Sequence, residues 1–209
     1  FPPRRSSDLS ITARPDQPTC EAFFARQQAS NSTAQEELAT AHQRACTLDG
    51  KNVEVVANVG GADDAQTALQ LGAEGVGLFR TEFVFLQRQN PPTEEEQYAA
   101  YHEVLQVMEQ RPVVIRTLDA GGDKELTYLH MPAEANPFLG NRAIRLCLSE
   151  PEFFKQQLRA LLRAGVGHDL RIMFPMIASR TELRAAKQLI EEAKEEVLAS
   201  GSALPEKLQ

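Results

Sequence analysis

Two arginines, Arg80 and Arg116, give this sequence its clearest chemistry. Each ends a short apolar run and each is followed by threonine: G-V-G-L-F-R-T over 75–81 and P-V-V-I-R-T over 112–117. Apolar runs of this length, rich in glycine or β-branched residues, read as buried strands. Buried arginine is rare unless it is paired, and its planar fork matches carboxylate or phosphate. Two such cations at the ends of neighbouring strands predict an anion site. The competing reading is structural, with Arg80 paired to Glu82 and Arg116 to Asp119.

Further groups of the same kind follow. Gly121, Gly122, Asp123 and Lys124 come directly after the second run. The glycines let backbone approach a ligand closely and the lysine adds a cation, although G-G-D-K is also a good surface turn. The phosphate loop G-x-x-x-x-G-K-[ST] is absent. Residues 136–145 read N-P-F-L-G-N-R-A-I-R. Arg142 and Arg145 lie three apart, and one of them is expected to face inward and the other outward. Arg80, Arg116, Arg142 and Lys124 together would attract a small, multiply charged anion. Glu82, Asp119 and Asp123 are the carboxylates placed to compensate them without ligand. No acidic or histidine spacing is specific enough to assign a metal.

The elements that must position these residues alternate. Strands are expected at 53–57, 75–79, 113–115 and 170–174. Helices are expected at 62–71, from Thr93 to 109 with Glu96 completing a capping box, and after the caps Ser149/Glu152 and Ser179/Glu182. A loop of about 25 residues after the third strand is long enough to be functional. Alternation of this kind predicts a parallel sheet with helices outside it. Half of a (β/α)8 barrel fits, and so does an open doubly wound sheet. Either places ligands at the C-terminal strand ends, where Arg80 and Arg116 stand.

Upstream, Asp16 or Thr19 opens helical sequence read as 21–30 and 33–45, broken near Asn31. The second piece has one large apolar residue, Leu38, which suits a helix bridging domains through solvent. L-D-G-K at 48–51 is a turn and marks a boundary. The expected organisation is therefore a non-native leader at 1–9, linker helices over 10–48, and a half-barrel over 49–209. The leader F-P-P-R-R-S-S-D-L lacks the apolar core of a signal peptide.

Composition excludes several classes. The net charge is −7, from 22 basic and 29 acidic residues, which argues against nucleic acid as a partner. No apolar run approaches the roughly 18 residues of a membrane span. Cys20, Cys46 and Cys147 are widely spaced with no C-x-x-C, and read as reduced thiols of a cytosolic protein. Four scattered histidines show no metal-ligand spacing, and His102 reads as a surface residue of a helix.

Four motifs carry a family resemblance. They are G-A-E-G-V-G-L-F-R-T-E-F at 72–83, R-T-L-D-A-G-G-D-K-E-L at 116–126, N-P-F-L-G-N-R-A-I-R at 136–145 and L-R-I-M-F-P-M-I at 170–177. Together they resemble enzyme I of the phosphoenolpyruvate (PEP)-dependent sugar phosphotransferase system. The resemblance covers about residues 49–200. It implies the first half of a PEP-binding (β/α)8 barrel preceded by linker helices. It implies phosphoryl transfer from PEP to a histidine on a separate domain and on to a phosphocarrier protein for sugar uptake, with magnesium, in a cytosolic homodimer. Arg80 and Arg116 match two PEP-binding arginines of that family, and Arg142 matches a further active-site arginine. The phosphorylated histidine, the magnesium carboxylates and the proton-donor cysteine of the family have no counterpart in these 209 residues, so the chain alone is expected to be inactive. Asn141 departs from the tryptophan common there. Pyruvate phosphate dikinase or PEP synthase, and a non-catalytic regulatory barrel, are the alternatives.

Overall fold

The structure, a computed structural model, describes residues 11–86, 88–121, 126, 128–129 and 134–208. The chain divides into two compact units, Phe1–Gln43 and Arg44–Gln209.

Among its described residues the first unit holds one helix, α1 (Gln17–Thr40), none of whose residues is buried. The Asp16 carboxylate caps it by accepting from the Thr19 N–H at 3.0 Å, and Pro18 sits in the first turn, where it is tolerated. The break expected near Asn31 does not occur. Asn and Ser lower helix propensity by well under 1 kcal/mol each, and no Gly or Pro interrupts residues 19–40.

The second unit opens with a small antiparallel hairpin, β1 (Ala45–Cys46) and β2 (Asn52–Val53). The turn at 48–51 connects the two, with Gly50 at φ 82° and the Thr47 N–H donating to the Lys51 carbonyl. Four parallel strands follow: β3 (Val56–Val59), β4 (Gly75–Arg80), β5 (Val113–Arg116) and β6 (Leu170–Met173). The first of them starts three residues later than its hydrophobic pattern predicts, because Val53 is taken by the hairpin. Spatial order is β3-β4-β5-β6, the same as chain order.

That order chooses between the two architectures. A doubly wound sheet reverses its strand order at a switch point, and this one does not. The connecting helices α2 (Ala62–Gln70), α4 (Glu94–Met108), α6 (Pro151–Ala164) and α7 (Arg180–Ala199) form a single layer, each packed on the next. Four parallel βα units in sequence with one helical layer make a segment of (β/α)8 barrel wall. Between sheet and helices lie Val59, Val76, Phe79, Tyr101, Leu105, Val113, Ile115, Leu161 and Leu170, all buried. On β5, Val113 and Ile115 face this core, while Val114 and Arg116 alternate onto the opposite, more open face.

Two predicted caps are present as capping boxes, Thr93 with Glu96 and Ser179 with Glu182. The third is not. Ser149 instead closes a six-residue helix, α5 (Ile144–Ser149), and its hydroxyl donates to the Leu146 carbonyl at 2.9 Å. Pro151 forces Glu150 out of helical geometry, to φ −122° and ψ 67°, so α6 starts afresh. On the outside of the wall, Arg159 bridges Glu94 of α4 and Glu196 of α7 at 2.7 and 2.6 Å. Among the described residues no helix is long and apolar enough to cross a membrane.

Candidate functional site

The site grows out of the C-terminal ends of β4 and β5. Arg80 and Arg116 are opposite each other in the parallel ladder. After Arg80 the chain turns at once into a single helical turn, α3 (Glu82–Phe85), which buries Glu82 and Phe85. After Arg116 it stays buried through Thr117, Leu118, Asp119 and Ala120.

A third segment joins them. Gly121 has φ 120°, and a Cβ there would collide with Arg142 Cβ, so the glycine is what lets the two loops touch. The Ala143 N–H donates to the Ala120 carbonyl at 3.0 Å and holds the contact. Ala143 itself adopts φ 52° and ψ −127°, outside the regions open to residues with a Cβ. Such strain persists only where surrounding structure imposes it, and it concentrates at functional sites.

The side chains form an alternating ionic chain. Glu82 accepts from Arg116 Nη2; Arg116 Nη1 lies 3.2 Å from Asp119 Oδ2; Arg142 Nη2 donates to Asp119 Oδ1 at 2.8 Å. These side chains are 3–18% exposed. Two carboxylates thus balance two guanidiniums, and Asp119 serves both. The Nε groups of Arg116 and Arg142 are buried and have no hydrogen-bond partner among the described residues. An arginine offers five N–H donors, and buried donors are normally satisfied, so both fans retain capacity for an anion. Arg80 adds a charge that no carboxylate neutralises among the described residues. It is exposed, and its guanidinium lies 5.1 Å from the Phe83 ring centroid.

Arg80, Arg116 and Arg142 therefore come together at one rim. Lys124 lies outside the described residues, as do Gly122 and Asp123. The pairing expected between Arg80 and Glu82 is replaced by one between Arg116 and Glu82. Arg145 points away, bonding the carbonyls of Leu139 and Gly140 and approaching Glu182 at 3.8 Å, so the inward–outward split of Arg142 and Arg145 holds. Cys147 is buried beside the site. Burial first, and the Asp119 charge second, push its thiol up to about 12, which keeps it protonated and unreactive. His102 is half-buried on the outer layer, stacked on Tyr98 with centroids 5.2 Å apart, rather than free at the surface. The described residues contain no group of three or more His, Cys, Asp or Glu able to hold a metal ion.

One residue beside this site escapes motif reading. Gln157 is buried under the strand ends and bonds Leu118, Tyr101 and Thr81. Its signal in the sequence is a polar residue on an otherwise apolar stripe, between Phe154 and Leu161.

Comparison with known proteins adds names to this geometry. A family model described as PEP-utilising enzyme, PEP-binding domain, matches residues 34–209. A phosphoenolpyruvate-protein phosphotransferase of Geobacillus stearothermophilus is 54% identical over 168 residues, covering 80% of this chain and 29% of the relative. Proteins of the same name match from Staphylococcus epidermidis, 56% identical over 155 residues (74% and 27%), and Bacillus subtilis, 53% over 161 (77% and 28%). The chain thus spans under a third of the length of these relatives.

Proposed function

We propose, because the chain belongs to the PEP-utilising enzyme family by its PEP-binding domain, that its strand-end arginines bind PEP within a longer phosphoenolpyruvate-protein phosphotransferase, here the parent protein. The observation that carries this reading is the pair of buried Nε groups on Arg116 and Arg142, unpartnered among the described residues, beside the charge of Arg80, which no described carboxylate neutralises. PEP carries a phosphate and a carboxylate close together. Arginine forks bind both groups bidentately and hold the phosphoryl at a fixed orientation.

In this reading the arginines do two things. They neutralise the substrate's charge on binding, and they stabilise the charge on the phosphoryl group as its bond to the enolate oxygen breaks. The acceptor is a histidine on another domain, and the phosphoryl passes from there to a phosphocarrier protein for sugar uptake. Lys124 supplies a further cation to the same anion. The parent protein acts in the cytosol as a homodimer, with residues 10–48 as its interdomain linker and 49–209 as the first half of the barrel. Magnesium would stabilise the transferring phosphoryl group. The described residues do not fit a magnesium site, since Glu82 and Asp119 are already taken by Arg116 and Arg142. Its ligands are therefore assigned to parts of the parent protein outside these residues.

Calorimetric titration of the parent protein with PEP is the test. Binding that is lost on Arg142→Ala supports the site. Equal heats for PEP in the wild type and in the Arg80→Ala/Arg116→Ala double variant would refute it.

A further inference from the structure

Gln157 projects from α6 to the junction of the two arginine-bearing loops and is 1% exposed. Its Oε1 accepts from the Leu118 N–H at 3.0 Å. A backbone N–H can only donate, so this bond fixes which end of the amide faces the loop. The Nε2 end then donates to the Tyr101 hydroxyl at 3.1 Å and to Thr81 Oγ1 at 3.4 Å. Thr81 Oγ1 in turn donates to the Arg116 carbonyl at 2.8 Å. Tyr101 donates onward to Gln97 Oε1 at 3.3 Å, and Gln97 to the Pro92 carbonyl at 3.1 Å. The network is closed, with both N–H groups of Gln157 used.

What matters is where its contacts fall in sequence. Thr81 stands between Arg80 and Glu82. Leu118 stands between Thr117 and Asp119. One amide therefore bonds the residue before Asp119 and the residue before Glu82, and through the Thr81 hydroxyl it reaches the Arg116 carbonyl, so only Arg142 of the ionic chain lies beyond it. Packing does not call for an amide here, because Phe154, Leu158 and Leu161 on the same helix bury well without one. A buried amide is costly unless bonded, so the position selects for the bonds.

We propose that Gln157 is a positioning residue, which sets the spacing of the Arg80 and Arg116 strand ends and through it the affinity of the anion site. The affinity part rests on the PEP-binding function proposed for those arginines. Gln157 touches no ligand itself. It acts through Thr81 and Leu118, at one bond's remove from the residues that do.

The test uses three variants of the parent protein: Gln157→Met, Gln157→Glu and Thr81→Val. Each is measured for PEP affinity by titration, for thermal midpoint, and for alkylation of Cys147 by iodoacetamide, read by peptide mass spectrometry. Cys147 reports on the Leu118 loop because its Sγ lies 3.9 Å from the Leu118 carbonyl. Gln157→Met matches the side chain's length without its bonds. It is expected to weaken PEP binding about tenfold, the effect of a lost buried hydrogen bond, and to speed alkylation of Cys147. Gln157→Glu restores the acceptor for Leu118 and should bring affinity back to within about threefold of wild type. Its buried carboxylate should nonetheless lower the thermal midpoint at least as far as Met does. Affinity that follows the thermal midpoint across the variants, or an unchanged affinity in Gln157→Met, would overturn the proposal. Where Gln157→Met fails to fold, Thr81→Val decides: several-fold weaker binding supports the proposal and unchanged binding overturns it. A wild-type protein that does not bind PEP would overturn the functional reading instead. Alkylation alone then decides for Gln157, faster modification in Gln157→Met supporting its positioning role and an unchanged rate excluding it.

Discussion

Arg80 and Arg116 are the last register pair of the β4–β5 ladder, side by side on neighbouring parallel strands. Adjacent strands run about 4.8 Å apart, and like charges directly opposite each other destabilise a sheet. The protein resolves the conflict unequally. Arg116 is drawn into the ionic chain by Glu82 and Asp119, while Arg80 lifts onto the Phe83 ring at the surface.

This inequality separates two mutations that a motif would treat alike. Arg80→Ala and Arg116→Ala should each weaken PEP binding by about 1.5–3 kcal/mol, the scale of a charged hydrogen bond. Only Arg116→Ala should also destabilise the fold, by about 3–5 kcal/mol, because it strands a buried carboxylate on Glu82 and removes a partner from Asp119. Chemical denaturation of both variants checks this. Equal stability losses would contradict the unequal geometry.

The fork of Arg142 is the next testable feature. Its guanidinium bonds Asp119 at 2.8 Å, keeps a buried Nε with no partner among the described residues, and lies 5.8 Å from the Phe138 ring centroid. Arg142→Lys keeps the charge but cannot serve Asp119 and an anion through one plane. Phosphoryl transfer by the parent protein should fall tenfold or more at unchanged folded fraction. Wild-type turnover in that variant would mark Arg142 as structural.

Features set by local chemistry are legible in the sequence. The strand ends at 75–80 and 113–116 and the capping boxes at Thr93 and Ser179 are of this kind. The sequence leaves open which of Arg142 and Arg145 turns inward, and the two part because Ala143 between them, at φ 52° and ψ −127°, is not helical. The choice of Arg116, rather than Arg80, as the partner of Glu82 depends on how β4 and β5 align, and a one-dimensional pattern does not carry that. The short helices α3 and α5 are missed because four and six residues cannot show a 3.6-residue period. Ser149 fails as a cap because Pro151 places the helix start one residue further on.

Backbone strain at the rim gives a third prediction. Ala143 holds φ 52° and ψ −127°, which a glycine adopts freely. Ala143→Gly should therefore raise stability by about 1 kcal/mol. The PEP affinity of the parent protein should stay the same or fall slightly, as Arg142 loses some restraint. A lower thermal midpoint in the variant would refute the strain assignment.

The buried thiol of Cys147 sets an alkaline limit. Its folded value is raised to about 12 by burial. An unfolded thiol ionises near 8.5. A raised folded value contributes stability that is fully present below the unfolded value and is lost as pH climbs toward the folded one. Wild-type stability should therefore decline between about pH 8.5 and 12 more steeply than that of Cys147→Ala. At pH 8, Cys46, which is exposed, should alkylate readily and Cys147 should not. Parallel pH–stability curves for the two proteins would remove Cys147 from the account.

The last prediction concerns the open edges of the sheet in this chain itself. β3 and β6 each pair on one side only within the four-stranded order. Beside β3, Val55 is 51% exposed, Val56 42% and Leu71 62%, an apolar strip along an edge that no further strand covers among the described residues. An edge of this kind is a template for association. The isolated 209-residue chain should self-associate as its concentration rises. Val55→Lys and Leu71→Lys should each shift it toward monomer, since a charge on an edge must be desolvated to pair. Their thermal midpoints should hardly move, because surface changes away from the core stay within about 0.5 kcal/mol. Sedimentation over a range of concentrations decides the matter. A wild-type chain that stays monomeric throughout would refute the edge argument, and association unaffected by either lysine would place the contact elsewhere.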